Sequence, residues 1–209
     1  MELNEQLKTA LVELRKSGPR KFKQTVDLIV NLQKYSIKKN PINLFVNVPH
    51  KTKNKKIAGF FEAKSDFVDT ITLNSFKKYS DKKALKNLVK KYDFFIAQGS
   101  LMPKVATTFG RILGPAGKMP SPNLGILLNA DEKSISDLKE KINNNVKIRV
   151  KESSVKVAVG KEDMKDEEII DNIMAIYNEL IKALPRDKEN IKNIEVKFTM
   201  TKPQKLKIR

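Results

Sequence analysis

The sequence has no cysteine and a single histidine, His50. Without thiols there can be no disulfide and no thiolate metal site, a composition that fits a reducing cytosol. One imidazole has no second His or Cys with which to hold zinc, and no Ser or Cys nucleophile stands out as its partner. His50 follows Pro49 at a strand end and reads as structural or hinge. Long apolar runs are also missing. None approaches the roughly 20 residues of a membrane-spanning helix. The opening MELNEQLKTALVELRKSG carries acids early and lacks an apolar block with a small-residue cleavage site, so it does not read as a secretory signal. Most of the acids fall on helix faces or helix starts. No pair of them stands out as general acid and base.

What is present is cationic charge. Lys and Arg number 42 against 24 Asp and Glu, a formal net charge of +18 on 209 residues. A folded protein so unbalanced repels itself unless a polyanion is near. Nucleic acid is the first candidate, because each phosphate neutralised by Lys or Arg releases condensed counterions. An anionic membrane surface is the weaker second. Apolar residues make up 40% of the chain, enough for the core of one large domain or two small ones.

Periodicity divides the chain into three stretches. Leu3, Leu7, Leu11 and Leu14 form one stripe of an amphipathic helix, stopped by Ser17-Gly18-Pro19. Val26, Leu28, Val30 and Leu32 alternate with polar or outward positions and predict a strand over 23–32. After a turn around Lys38-Lys39-Asn40-Pro41, Leu44, Val46 and Val48 predict a second strand. From residue 51 the texture changes. IAGFFEA, DFVDTITL, YDFFIA and ILLN read as short strands, and 81–91, 101–109 and 132–142 as helices, a small α/β layered domain. From Val146 the two-residue period returns in 146–150 and 155–159, which read as a hairpin. A wide apolar stripe then predicts a buried helix over 166–184, and 191–200 a last strand before a basic tail. A helix and two strands at the N-terminal end are too few to hide a hydrophobic face. The expectation is therefore one α+β domain built from 1–50 plus 146–209, interrupted by an inserted α/β domain, 51–145. Two sequential domains are the plainer alternative.

The Gly/Pro-rich stretch GRILGPAGKMPSPNLG invites a phosphate-loop reading. A P-loop centred on Gly117-Lys118 needs Gly at 112 and Ser or Thr at 119, and the chain has Ile112 and Met119. The dinucleotide pattern fails at the same position. A nucleotide-dependent enzyme is the disfavoured alternative, and an ordered Gly/Pro connector the plain reading. The basic clusters carry more. RKSGPRKFKQTV holds Arg15, Lys16, Arg20, Lys21 and Lys23 without an acid, and Phe22 sits among them. Cations take phosphates, the ring can stack or pack on a ribose, and Thr25 can bond a 2′-hydroxyl. Phe22 as plain core is the even alternative. The tail TMTKPQKLKIR has four cations, no acid and two hydroxyls at its start, with a solvated tail as the plain alternative, whereas KTKNKK and the Lys-rich helix 81–91 read as solvated faces.

The segment SLMPKVATTFGRILGPAGKMPSPNLG closely resembles the signature of the ribosomal protein L-one family, the stalk protein of the large ribosomal subunit. Leu101-Met102-Pro103, Gly110-Arg111-Ile112-Leu113-Gly114-Pro115, Gly117 and Met119-Pro120-x-Pro122 stand in order. Arg20-Lys21-Phe22 with Thr25 is similar to the basic-Phe motif before the family's first strand. Val48-Pro49-His50 is similar to the interdomain crossing, Val159-Gly160-Lys161 to the return segment, and Thr199-Met200 to the C-terminal motif. Thr201-Lys202-Pro203 stands where bacterial members have Gly-Pro, and the N-terminal arm is short, so the chain looks more like an archaeal member.

The resemblance implies a split α+β domain with a three-layer Rossmann-like α/β domain inserted. It implies a non-catalytic constituent of the cytoplasmic ribosome, without cofactor or metal, that binds the stalk region of large-subunit rRNA. This places it beside the exit site, where deacylated tRNA leaves. It further implies a translational repressor that binds its own operon mRNA, has no membrane partner and is a monomer when free. The RNA-binding residues expected are Arg20, Lys21, Phe22, Thr25, Lys151, Thr199, Met200 and Thr201. Arg111 and Lys118 are expected as secondary contacts to rRNA or tRNA, and Pro49, His50 and Lys147 at the interdomain hinge.

Overall fold

The computed structural model describes residues 3–18, 20–37, 40–76, 79, 81–128, 131–150 and 152–206. In chain order the elements are α1 (Leu3–Arg15), β1 (Thr25–Leu32), β2 (Asn43–Asn47), β3 (Ile57–Phe60), β4 (Asp69–Ile71), α2 (Leu73–Phe76), α3 (Lys82–Lys91), β5 (Phe94–Gln98), α4 (Met102–Ala116), β6 (Ile126–Leu127), α5 (Glu132–Asn144), β7 (Asn145–Arg149), β8 (Ser154–Lys161), α6 (Asp166–Ala183), β9 (Ile191–Phe198) and β10 (Gln204–Leu206). The chain divides into two compact units. One joins Met1–Lys53 to Asn144–Arg209, and the other is Asn54–Asn143. Of the turn expected near residue 40, Lys38 and Lys39 lie outside the described residues.

The terminal unit is built on an antiparallel sheet of order β10-β9-β1-β8. Side chains alternate across a strand, so β1 buries Val26, Leu28, Val30 and Leu32 on one face only. That face packs with Val155, Val157 and Val159 of β8 and Ile194, Val196 and Phe198 of β9. Leu7, Leu11 and Leu14 of α1 and the stripe Ile169, Ile173, Ile176 and Leu180 of α6 join the same core. Each such buried aliphatic side chain contributes about 1.5–3 kcal/mol of burial. The acids Asp166, Glu167 and Glu168 sit in the first turn of α6, where the helix dipole favours them.

The period-two signals of 146–150 and 155–159 do not form the expected hairpin. β7 pairs antiparallel with β2 in a separate two-stranded sheet, Phe45 opposite Lys147, while β8 pairs with β1. Alternation shows that a strand has one buried face; it does not say which strand it pairs with. The tail is also more ordered than a solvated reading expects, since β10 adds to the outer edge of β9 with Leu206 buried.

The middle unit is a parallel sheet of order β4-β3-β5-β6. β3 is buried at every position, as expected of a parallel strand covered on both faces. Its core is aromatic. Phe60 lies 5.7 Å from Phe95 and 5.0 Å from Phe109, and Phe109 meets the edge of Phe76 at 4.9 Å. Here the reading of 109–125 as a connector is corrected, because α4 runs through Phe109 to Ala116. Val105, Phe109 and Leu113 recur at four-residue spacing and bury one face, which holds the helix together despite Gly110, Gly114 and Pro115. Gly117 ends it at φ +70°, a conformation that costs other residues about 1–2 kcal/mol.

Candidate nucleic-acid interface

Antiparallel pairing brings distant segments to one end of the terminal sheet. β1 runs opposite to both neighbours, so its start meets the ends of β8 and β9. Thr25 pairs with Lys161, and Val26 with Phe198. Residues 20–25, 161–166 and 199–201, far apart in sequence, therefore converge.

The convergence is fastened by hydrogen bonds. Thr25 N–H donates to Thr199 Oγ1 at 3.0 Å, and Thr199 N–H donates to the Thr25 carbonyl at 3.1 Å. Thr201 Oγ1 accepts from Phe198 N–H at 2.9 Å and closes the turn after β9. Gln24, fully buried, accepts Met200 N–H on its side-chain oxygen at 3.1 Å. The Gln24 backbone N–H donates to the Glu162 carboxylate, and its carbonyl accepts Glu162 N–H at 2.9 Å. Sequence reasoning passed over Gln24. The signal available was a neutral polar residue one position before the β1 alternation, which marks an inward side chain needing a partner.

The cations of RKSGPRKFKQTV separate into two kinds. Arg15 grips the loop before α6, with Nη2 2.6 Å from Asp166 Oδ1 and bonds to the Glu162 and Met164 carbonyls. Lys23 lies 2.6 Å from Asp163. The hydrogen bond from Lys23 holds the Asp163 carboxyl below the usual carboxylate range. Both groups are solvated, so the pair is weak and a phosphate can compete for the lysine. Arg20 and Lys21 stand exposed. Between these charges project two apolar side chains, Phe22 at 51% and Met200 at 62% exposure. An exposed ring and thioether in a cationic rim suit the planar bases and ribose faces of a folded RNA. The even alternative, Phe22 as core, is excluded by its exposure.

Lys151 lies outside the described residues. His50 is fixed to α6, since its N–H donates to the fully buried Asn172 and its carbonyl accepts from it, at 3.0 and 2.9 Å. Its ring stands 3.3 Å from Asp171. Pro49 precedes it, exposed. The Lys147 ammonium lies 5.0 Å over the Phe45 ring, and burial, with Arg149 nearby, pushes its pKa down. In the middle unit Arg111 is exposed on α4. Lys118 is half-buried and donates to the Val89 and Tyr92 carbonyls, each at 2.7 Å, so its ammonium caps α3.

The glycines of 109–125 form no phosphate cradle. Gly117 sits at the C-terminal, negative end of α4, whereas phosphate loops place their amides at a helix N-terminus. No group of three or more potential metal-ligating side chains occurs among the described residues. No helix there is long and apolar enough to cross a membrane.

These features define a split, two-unit α/β protein in which exposed cations and two exposed apolar side chains gather at one sheet end. The model of the ribosomal protein L1p/L10e family matches residues 14–202. The chain is 40% identical over 204 residues to the large ribosomal subunit protein uL1 of Pyrobaculum islandicum, covering 91% of this chain and 87% of that one. It is 35% identical to the uL1 protein of Nanoarchaeum equitans over 196 residues, 89% and 92% of the two chains. It is 34% identical to that of Thermococcus kodakarensis, with 88% of each covered. The chain belongs to the ribosomal protein L1p/L10e family, whose members are structural rather than enzymatic constituents of the ribosome.

Proposed function

We propose that the terminal unit binds the stalk region of large-subunit rRNA through Arg20, Lys21, Phe22, Thr25, Thr199, Met200 and Thr201. The observation that carries this reading is the convergence of 20–25 with 199–201, Phe22 and Met200 projecting outward while Thr199 and Thr201 close the backbone behind them. The hydroxyls act as fasteners, and the contact is made by the ring, the thioether and the cations. Lys151 joins this set by resemblance. Arg111 serves as a secondary contact to rRNA or exit-site tRNA. Lys118, expected beside it, is half-buried with its ammonium on the Val89 and Tyr92 carbonyls, so it holds the end of α3 and is not carried forward as a contact. Pro49, His50 and Lys147 mark the crossing between domains.

In this reading the protein sits beside the exit site and takes part in release of deacylated tRNA. As a free monomer it also represses translation of its own operon mRNA, whose structure imitates the stalk. One surface serves both RNAs, so they compete for it. Filter binding of the full chain tests this. A stalk rRNA fragment is expected to bind at least about tenfold more tightly than generic duplex RNA at the same salt, within the usual range of specific over non-specific affinity. The operon leader should displace it. Equal affinity for fragment and duplex removes the assignment.

A further inference from the structure

A second basic site lies within the middle unit, and none of the residues assigned above lines it. A cleft of about 580 Å³ opens where β3, β4 and β5 begin, lined by Lys55, Lys56, Lys64, Lys91 and Lys139 against Asp66 and Asp69. That volume is within the roughly 300–1,000 Å³ typical of ligand sites. The five lysines come from four separate segments: the approach to β3, the β3–β4 loop, the end of α3 and the body of α5. No single charge run explains their meeting. Hydrogen bonds hold parts of the rim in place. Lys55 donates to the Ile142 carbonyl at 2.6 Å, and Lys139 to the Phe67 carbonyl at 3.0 Å. Asp69 is engaged by the Tyr92 hydroxyl at 2.6 Å and lies 3.8 Å from Lys91. Phe67 lines the same cleft and is 42% exposed.

We infer that this cleft binds an unpaired stretch of RNA, phosphates on the lysines and a base against Phe67. Three features favour a strand over a mononucleotide or a small anion. Doubly wound folds take nucleotides at the carboxyl ends of their strands, and this cleft lies at the opposite ends. The rim offers helix C-termini from α3 and α5, so no row of backbone amides cradles a single phosphate group. Its cations are all lysines, point charges suited to a run of backbone phosphates, and one exposed ring stacks on any base. The site does not depend on the terminal-unit reading, and its probe differs from the stalk fragment, so the two can fail separately.

The test is fluorescence anisotropy of labelled hexauridylate with the full chain at one fixed salt. Phe67→Ala is expected to weaken binding about 30-fold, the middle of the range for removal of one base–aromatic stack. Lys56→Gln with Lys64→Gln should weaken it as well. A salt series on that variant should show the slope of log affinity against log salt reduced by about 0.7 for each phosphate no longer neutralised. Val12→Ala, at an exposed side chain of α1 that belongs to neither site, should leave hexauridylate binding within about twofold. All these side chains are exposed, and circular dichroism with thermal melting checks that each variant folds. Unchanged affinity in the Phe67 and lysine variants overturns the proposal. So does uridine monophosphate binding as tightly as the hexamer, which would mark a small-anion pocket.

Discussion

The aromatic core and signature segment of the middle unit and the joined strand ends of the terminal unit handle glycine, charge and aromatic rings in opposite ways. In the core and signature segment of the middle unit the conspicuous residues, Arg111 apart, face inward or support the fold. Phe60, Phe95 and Phe109 make the core, Gly117 ends α4, and Lys118 caps a neighbouring helix. In the terminal unit the core is aliphatic apart from Tyr177 and Phe198. There the exposed Phe22 and Met200 stand in the cationic rim. The segment that most clearly marks the family is thus scaffold, whereas the surface with the features of an RNA site is assembled from short, plain motifs near both chain ends. A long signature reports how tightly a fold constrains its residues, and that need not be where a partner binds.

The largest expected effect tests the scaffold side. Phe109→Ala removes the ring that joins Phe60 and Phe76, at a cost of about 3–5 kcal/mol to the middle unit. Chemical denaturation should show this drop, while the stalk fragment still binds through the terminal unit. The converse variant is Phe22→Ala with Met200→Ala. Both side chains are exposed, so the melting temperature should barely move. Stalk-fragment affinity should fall by about 2–4 kcal/mol, roughly 30- to 1,000-fold. If the unfolding curve shifts and the affinity does not, the comparison is broken.

Gln24→Leu is the sharper, smaller test. The Gln24 Nε2 is buried and has no hydrogen-bond partner among the described residues, a cost to the folded state, while its oxygen holds the Met200 backbone. Removing the side-chain polarity should leave stability unchanged or slightly raised. Loosening the turn that presents Met200 should weaken stalk binding by about 1 kcal/mol, roughly fivefold. A purely structural glutamine would move the two readouts together.

The smallest effect concerns Asp27, beside Lys197 across the strand pair. Burial raises its pKa, with Lys197 partly opposing. A carboxyl raised on folding favours the folded state when protonated. Its contribution is full below the unfolded value of about 3.9 and is lost as pH rises through the folded value. Asp27→Asn should therefore raise the melting temperature slightly at neutral pH and leave it unchanged at strongly acid pH.

Much of this was legible in the sequence, and the gaps have physical causes. The strand β1 and helices α1 and α6 follow from leucines, valines and isoleucines at the right periods, because one-sided burial writes its period into the chain. The pairing of β7 with β2 was not legible, since alternation fixes a face and leaves the partner open. The course of α4 through Gly110 and Gly114 was obscured because glycine and proline disfavour helix locally, while Val105, Phe109 and Leu113 outweigh them through tertiary packing. At the candidate site, the cations and Phe22 could be named. The separation of Arg15 and Lys23 from Arg20 and Lys21 could not, since it depends on Asp163 and Asp166 arriving from the far side of β8.

The central claim is that the stalk rRNA fragment is held chiefly by the terminal unit, at the joined ends of β1, β8 and β9, with Arg111 of the signature helix only a secondary contact. Amide hydrogen exchange of the full chain, with and without the stalk rRNA fragment, measures this most directly. The account predicts strongly slowed exchange in 20–25, 161–164 and 199–201, and a much smaller change in the α4 amides of 105–116. Protection concentrated in 105–116, with 20–25 and 199–201 unaffected, would contradict it.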